Sequence, residues 1–342
     1  MSQPSFTFVL PALNAAGPLF DRALSSIRQQ DYPQERVEIV VADGGSTDDT
    51  RGAARRRGAR VIENPNRLAE WGVKEGMAHA TGEIVVVFAA DNELVDPGWL
   101  RGVGSLFEHE PGLSAAFGRL VSGAEDAPLN KYVELIQSEP LNWFLNRNLE
   151  WYLERHSPAA DGFALFEVDP ARPLIWGANG LAVRREHALP AWSREGYVAD
   201  VDAFHAMVRA GHRLVAYKPG PYCFHHQVAT LGDMRRKWLR NACQHLVHQA
   251  SARELDWVLV PAFRGRVLLW AAYSLVPLVS GADALRRARR DRSVYWLYHP
   301  VASLLQTITY AQALTSSREG RALVKRALAR RPREHRRTEA IR

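Results

Sequence analysis

The chain has 342 residues, 46% of them hydrophobic, enough to bury a full core and long for a single domain. Two cysteines, Cys223 and Cys243, exclude a disulfide framework and fit a reducing compartment. The formal charge of +7 is uneven: residues 281–342 carry 15 Lys/Arg against 5 Asp/Glu, a net of +10, which leaves −3 for residues 1–280.

In chain order, MSQPSFTFVLPALN has neither the basic start nor the long apolar run of a secretory signal, which predicts a cytosolic start. FTFVLPAL (6–13) predicts a buried strand, and LFDRALSSIRQQ has helical spacing at Leu19, Ala23, Leu24 and Ile27. VEIVVAD predicts the second strand. STDDTRGAARRRG opens a helix, with Ser46 or Thr47 as N-cap and Asp48 and Asp49 in its first turn. ARVIEN (59–64) is a third strand, 68–80 a helix and EIVVVFAA a fourth strand. This alternation predicts a mostly parallel, doubly wound α/β sheet with helices on both faces.

The segment 113–220 is mixed. SAAFGRLVS reads as a strand and NKYVELIQSEPLNWFLNRNLEWYLERH as an aromatic-rich helix. PLIWGANGLAVRREHA reads as a strand around a glycine-rich turn, and DVDAFHAMVRAG as a helix closed by Gly211. Beyond residue 255 the stretches RVLLWAAYSLVPLVSGADAL and SVYWLYHPVASLLQTITYAQAL are apolar and aromatic, separated by RRARRDR. Each is near the roughly 20 residues of a membrane span, yet each holds a proline, and a two-span hairpin would export the arginine loop. The reading is of helices that lie in or re-enter the cytoplasmic face of the membrane, with Arg and Lys on anionic headgroups; a soluble helical subdomain is the alternative. REGRALVKRALARR (318–331) continues as a basic amphipathic helix. The domain boundary is expected at residue 240, between a catalytic body and this extension, with no role in nucleic-acid binding.

Two strand ends each deliver an acid: EIVVADGGSTDDT reaches Asp43 and GEIVVVFAADNELVDP reaches Asp91. In open α/β sheets ligands bind at the carboxyl ends of strands, so this repetition points to a polar, metal-carrying ligand such as a nucleotide sugar. FTFVLPALNA, LSSIRQQDYP, EIVVADGGSTDDT, ATGEIVVVFAADN, GANGLAVRRE and VADVDAFHAMVRAGHRL, in that order, resemble family 2 glycosyltransferases of the GT-A fold over about residues 5–240. Within that family the sequence is most similar to bacterial exopolysaccharide-type hexosyltransferases with a hydrophobic C-terminal extension.

The resemblance implies roles for particular residues. Pro11, Ala12, Leu13 and Asn14 would line the nucleotide pocket, where Pro11 lacks the N–H that would continue a ladder. Asp43 would meet the base or ribose, Gly45 would allow close backbone approach, and Arg67 would meet the nucleotide or its phosphates. FAADN stands where relatives carry an acidic metal motif; Ala89 and Ala90 replace the earlier acid, leaving Asp91 to hold a divalent metal, Mn²⁺ or Mg²⁺. His225 or His226 is a further candidate ligand. Asp200 falls on the aspartate of the family's Glu-Asp pair, with Ala199 in place of the glutamate, and would act as general base. Trp176, Asn179, Arg235 and Trp238 are candidates for the acceptor side and closing segment. Lys74 stands where relatives place asparagine.

The implied activity is inverting transfer from a UDP- or GDP-sugar to a lipid-linked or other glycan acceptor at an anionic membrane surface. Transfer to polyprenyl phosphate and a non-catalytic nucleotide-sugar-binding or scaffold protein are the alternatives.

Overall fold

A computed structural model describes residues 3–174, 178–253 and 261–329. The described chain forms two compact units that divide between Thr230 and Leu231, so the helix that starts at Leu231 belongs to the second.

The first unit is built on one sheet. Its strands are β1 (Phe6–Ala12), β2 (Val37–Asp43), β3 (Arg60–Glu63), β4 (Ile84–Val87), β5 (Asn92–Leu94), β6 (Ala115–Val121), β7 (Ser157–Pro158), β8 (Ala164–Glu167), β9 (Leu181–Arg184) and β10 (Leu214–His225). The order is β3-β2-β1-β4-β9-β6-β10-β8-β7, with β5 pairing β10 off this path. β1 to β4 are mutually parallel, as the alternation of strands and helices predicts. β9 then runs antiparallel between β4 and β6, and β6 pairs parallel with β10. The sheet is therefore mixed rather than mostly parallel beyond β4.

Its helices are α1 (Pro18–Arg28), α2 (Thr50–Arg56), α3 (Ala69–His79), α4 (Trp99–His109), α5 (Pro128–Ile136), α6 (Pro140–Leu145), α7 (Asn148–Leu153), α8 (Arg185–Trp192) and α9 (Asp200–Arg209). α5, α6 and α7 replace the single aromatic helix expected over 130–156. Gln137 turns left-handed at φ 57° to end α5, and Pro140, which fits only a first turn, opens α6. Helices cover both faces of the sheet. Phe20, Leu24 and Ile27 of α1 and Leu100, Val103 and Phe107 of α4 pack with Phe6, Phe8 and Leu10 on one face. Val73 and Met77 of α3 and Phe204 and Met207 of α9 pack with Val9, Val85 and Val87 on the other.

α3 approaches β1 closely because it carries glycine where the two meet. A Cβ at Gly72 would stand 2.9 Å from Pro11 Cβ, and one at Gly76 would stand 2.2 Å from Val9 Cγ1. Lys74, on the same helix, donates to the carbonyls of Arg194 at 2.5 Å and Gly196 at 2.9 Å, so it ties α3 to the segment before α9.

The second unit contains α10 (Leu231–Asn241), a π-helical turn at Ala242–His248, α11 (Pro261–Leu275), α12 (Pro277–Arg290), α13 (His299–Ser316) and α14 (Arg318–Ala329). α13 is its hub, packed by α10, α11, α12 and α14. Among the described residues no single helix is long and apolar enough to cross a membrane; α11 from Gly265 and α12, bent by 89° at Val276, reach that length and composition only as a pair.

Gly76→Ala should lower stability by about 1–3 kcal/mol, because the added methyl collides with the β1 side chain at the centre of the sheet. Gly281→Ala in α12, where a Cβ meets nothing within 4 Å, should be neutral or slightly stabilising. Urea denaturation of both variants checks the contrast.

Candidate active site

Three parallel strands run toward the same edge, with β4 ending at the level of Val9, three residues before Ala12 and Asp43 end β1 and β2. Val9 stands opposite Val40 on β2 and Val87 on β4, so the segments after Ala12, Asp43 and Val87 emerge side by side at the carboxyl edge. The first two emerging turns are sewn together. The Gly44 N–H donates to Ala12 O at 2.8 Å. Asn14, in the left-handed region at φ 49°, donates its N–H to Ser46 Oγ at 2.9 Å and accepts from the Thr47 N–H at 2.8 Å. Ser46 and Thr47 are thereby used across the cleft and not as the helix cap. Asp49 takes the N-cap position of α2, while Asp48 accepts from the Thr50 and Ala16 N–H groups. Pro11 lies within β1, and Leu13 is exposed beside this turn.

Asp43 is buried, 1% exposed. Its carboxylate accepts from the Gly45 N–H at 3.0 Å, the Ser46 N–H at 3.1 Å and Arg51 Nε at 2.6 Å. Burial alone would raise its pKa, but the hydrogen bonds from Ser46, Arg51 and Gly45 outweigh that and hold it below the ordinary 3.8. Arg67 closes over the same turn. It sits at φ 62° and donates Nε to Gly44 O at 3.0 Å. Gly45, at φ 84°, leaves only 3.2 Å between the position of a Cβ and the guanidinium, so a side chain there would displace Arg67. Sequence reasoning singled out Asp43, Gly45 and Arg67; it missed Arg51, which on the helical pattern alone was a solvent-facing residue.

The second strand-end acid is organised by a return strand. β10 runs antiparallel to β5, with His225 opposite Asn92 and Phe224 opposite Glu93. His225 Nε2 lies 3.6 Å from Asp91 Oδ1, and the His226 N–H donates to Asp91 O at 3.0 Å. The His226 ring stands between two acids, Nδ1 2.7 Å from Asp126 Oδ1 and Nε2 3.4 Å from Glu93 Oε2. Thus both histidines face this acidic segment, where adjacent sequence position suggested at most one. Asp126 escaped the sequence reading because it lies 100 residues from His226 and looks like a residue leading into the Pro128 helix. Burial would raise its pKa, yet the His226 hydrogen bond, the Gly123 N–H, the His226 charge and Asn130 keep it lowered. Asn130 completes the set, donating to Asp126 Oδ2 and to His225 O, each at 2.8 Å.

Asn179 reaches the same place: Asn92 Nδ2 is 3.4 Å from Asn179 Oδ1, and the Gly180 N–H donates to Val87 O at 2.8 Å. Trp176 lies outside the described residues. Asp200 is the first residue of α9, where the helix dipole favours an anion, and Asp202 is buried in the same turn. α9 runs back toward the start of β10, which places Asp200 at the carboxyl edge of the sheet. Arg235 and Trp238 lie on α10 in the second unit, where Arg235 donates to Gln312 at 2.8 Å and Trp238 is buried.

Among the described residues no group of three or more His, Cys, Asp or Glu side chains clusters as a metal site. A two-donor site fits instead. Neighbouring ligand atoms on an octahedral ion with bonds of about 2.1 Å stand about 3 Å apart, so Asp91 Oδ1 and His225 Nε2, 3.6 Å apart, would close by roughly half an ångström around one ion, and the partly exposed Asp91 carboxylate is open to solvent. Hard cations of this kind complete their shell with water and phosphate oxygens.

Asp43→Asn should lower stability at neutral pH and abolish most of its acid dependence near that group. The folded carboxyl is held below its unfolded value, so its contribution is full above the unfolded pKa and lost as pH falls through the folded one. Denaturation midpoints from neutral to acidic pH should show wild type and variant converging at the acid end.

Residues 7–171 match the family described as Glycosyl transferase family 2. Glycosyltransferases of PGL/p-HBAD biosynthesis from Mycobacterium bovis and Mycobacterium tuberculosis are each 34% identical over 120 residues, covering 32% of this chain. The match spans 45% of the length of those relatives. A mannosyltransferase from Pyrobaculum calidifontis, solved with GDP-Man and Mn²⁺, is similar in fold at TM-score 0.55 and 19% identity, covering 92% of this chain and 88% of that one. The stretch similar to Glycosyl transferase family 2, residues 7–171, is the one that holds the parallel strands, the buried Asp43 turn and the Asp91 segment.

Proposed function

We propose that this chain moves a sugar, with inversion, from a nucleoside diphosphate sugar to a hydroxyl acceptor. The observation that carries this reading is the pairing of two prepared strand ends: the Asp43 turn sealed by Arg67, and Asp91 beside His225. The family match and the named activity of the mycobacterial relatives support it. A protein of the same fold binds GDP-Man with Mn²⁺, which fits a UDP- or GDP-sugar and a divalent cation here.

In this reading Pro11, Ala12, Leu13 and Asn14 line the base and ribose, and the buried Asp43 holds the Gly45–Ser46 turn that borders them. Arg67 sits over the turn toward the phosphates. Asp91 and His225 would hold Mn²⁺ or Mg²⁺, which when bound would supply positive charge to the diphosphate. Asp126 and Asn130 fix His226 and the β10 backbone, and so keep His225 aimed at Asp91. Asp200 takes the proton from the acceptor hydroxyl. The freed oxygen bonds to the anomeric carbon from the face opposite the diphosphate, whose C–O bond breaks as it leaves.

The acceptor is proposed to be a lipid-linked glycan, and the place of work the cytoplasmic face of the membrane. The support is compositional: an apolar, arginine-flanked second unit attached to the donor-binding body. Ala199, which supplies no carboxylate beside Asp200, favours polyprenyl phosphate as a second acceptor class, since an anionic oxygen needs little help from a base.

Two variants and one screen test this. Cognate nucleoside diphosphate with Mn²⁺ should raise the melting temperature by mass action, and Asp91→Asn should remove the metal-dependent part of that shift. Asp200→Asn should leave the shift intact while lowering kcat on the order of 10²–10⁴-fold. Equal loss of donor binding in Asp200→Asn would show that this residue is not the base. Retention of every nucleotide shift with no turnover of any donor would favour a binding module.

A further inference from the structure

Within the second unit, α12 and α13 are arranged with their polarity reversed. Among the described residues, eleven of the thirteen exposed large aliphatic side chains fall within residues 268–308. The buried sides of α12 and α13 carry small and polar groups instead, Ser280, Ala284 and Arg287 on α12 and His299, Ser303, Gln306 and Thr309 on α13, whereas α10 and α14 bury Trp238 and Leu323 in the ordinary way. Ser280, His299, Ser303, Gln306 and Thr309 are all 0% exposed. Ser280, Ser303 and Thr309 bond within their own helices, to Pro277 O, His299 Nε2 and Leu305 O, and Ser274 Oγ of α11 meets Thr307 Oγ1 of α13 at 2.8 Å. Arg287 Nε to Asp283 Oδ2 at 2.8 Å and Tyr273 Oη to Asp283 Oδ2 at 3.0 Å extend the set.

The outward sides show the complement. α12 presents Leu278, 85% exposed, and Leu285 seven residues on; α13 presents Val301 and Ile308 at the same spacing. Seven residues are two helical turns, so each pair forms one stripe, opposite the polar side. Water around a helix selects the reverse pattern. Small and polar residues between helices with aliphatic residues outside are what hydrocarbon selects, because lipid tails leave no hydrophobic drive to bury leucine.

Geometry and charge choose the depth. α11 and α12 meet at an 89° elbow whose tip is Leu275, Val276, Leu278 and Val279, all exposed. Pro277 follows the break and brings no N–H to it. At the far end of α12 stand Arg286, Arg289, Arg290 and Arg292, with Arg286 and Arg290 side chains 76% and 61% exposed. The thirteen residues from Leu278 to Arg290 span about 18 Å, close to one leaflet's roughly 15 Å of hydrocarbon. We infer that the 275–279 elbow inserts into one leaflet of an anionic bilayer, with the α12 arginines left at its headgroups. The inference rests on the membrane reading above and adds the inserting element, its depth and its orientation.

The test uses the full chain with Leu278→Cys carrying an NBD fluorophore, in a Cys243→Ser background; Cys223 is buried and escapes labelling. The probe is phosphatidylglycerol–phosphatidylcholine vesicles with acyl-chain doxyl quenchers. Insertion predicts a blue-shifted, quenched NBD signal, and roughly tenfold or more weaker vesicle binding by unlabelled Leu278→Glu/Val279→Glu. That variant should keep the wild-type melting temperature, and Leu278→Ile should bind as wild type does. Binding with an unquenched label and an unaffected double-Glu variant overturns the elbow while the membrane reading stands. No binding by the wild type overturns both. A vesicle-independent dimer that Leu278→Glu dissociates, with no vesicle binding, assigns the face to a second copy and overturns the proposal.

Discussion

The site depends on one constraint, the register of β1 against its two parallel neighbours. With Val9 level with both Val40 and Val87, the turns after Ala12 and Asp43 and the segment leading to Asp91 must emerge together. A slip of one residue on either side would exchange the faces of a strand buried on both, which the packing of Phe8 and Val9 into opposite cores forbids. Close seating of α3 through Gly72 and Gly76 defends that register from one side. Hydrophobic packing thus sets the height at which the polar groups appear, and the polar groups need no packing of their own to be placed.

The two prepared strand ends are held differently. Around Asp43 the contacts are local in the chain, from the amides of Gly45 and Ser46 and the side chain of Arg51, with Arg67 added over the top. Around Asp91 they come from distant segments: β10 delivers two histidines, and the 122–130 segment delivers Asp126 and Asn130. A buried carboxylate next to an imidazole and an amide is costly unless it finds partners, and Asp126 finds them in His226, Asn130 and the Gly123 N–H. The first end is therefore formed as soon as β2 and α2 form, whereas the second requires the whole sheet.

The second unit solves a different problem. Its helices α12 and α13 pack through serine, threonine, glutamine and an Asp283–Arg287 pair and leave Leu278, Leu285, Val301 and Ile308 outside. That choice is unfavourable in water and consistent with a surface that is covered when the protein works. The bend at Val276–Pro277 divides an apolar stretch of near-spanning length into two short arms, neither able to cross a bilayer alone.

The sequence by itself determined the alternating α/β body, the strand-end position of Asp43 and the family resemblance over the first unit, while Asp91, expected to end the fourth strand, lies in the segment between β4 and β5. These are local signals: β-branched runs, a Gly-Gly turn, helical spacing. Proline and left-handed positions broke the expected 130–156 helix into three, which periodicity alone does not register. Only the tertiary structure decided that β9 reverses direction within the sheet, that both His225 and His226 face the acids of 91–93, and that Asp126 and Arg51 belong to the site. It also decided which way the apolar helices of the second unit face. Each of these is a pairing between segments far apart in the chain or a choice between two faces of one element, and neither is encoded in the spacing of residues along a single segment.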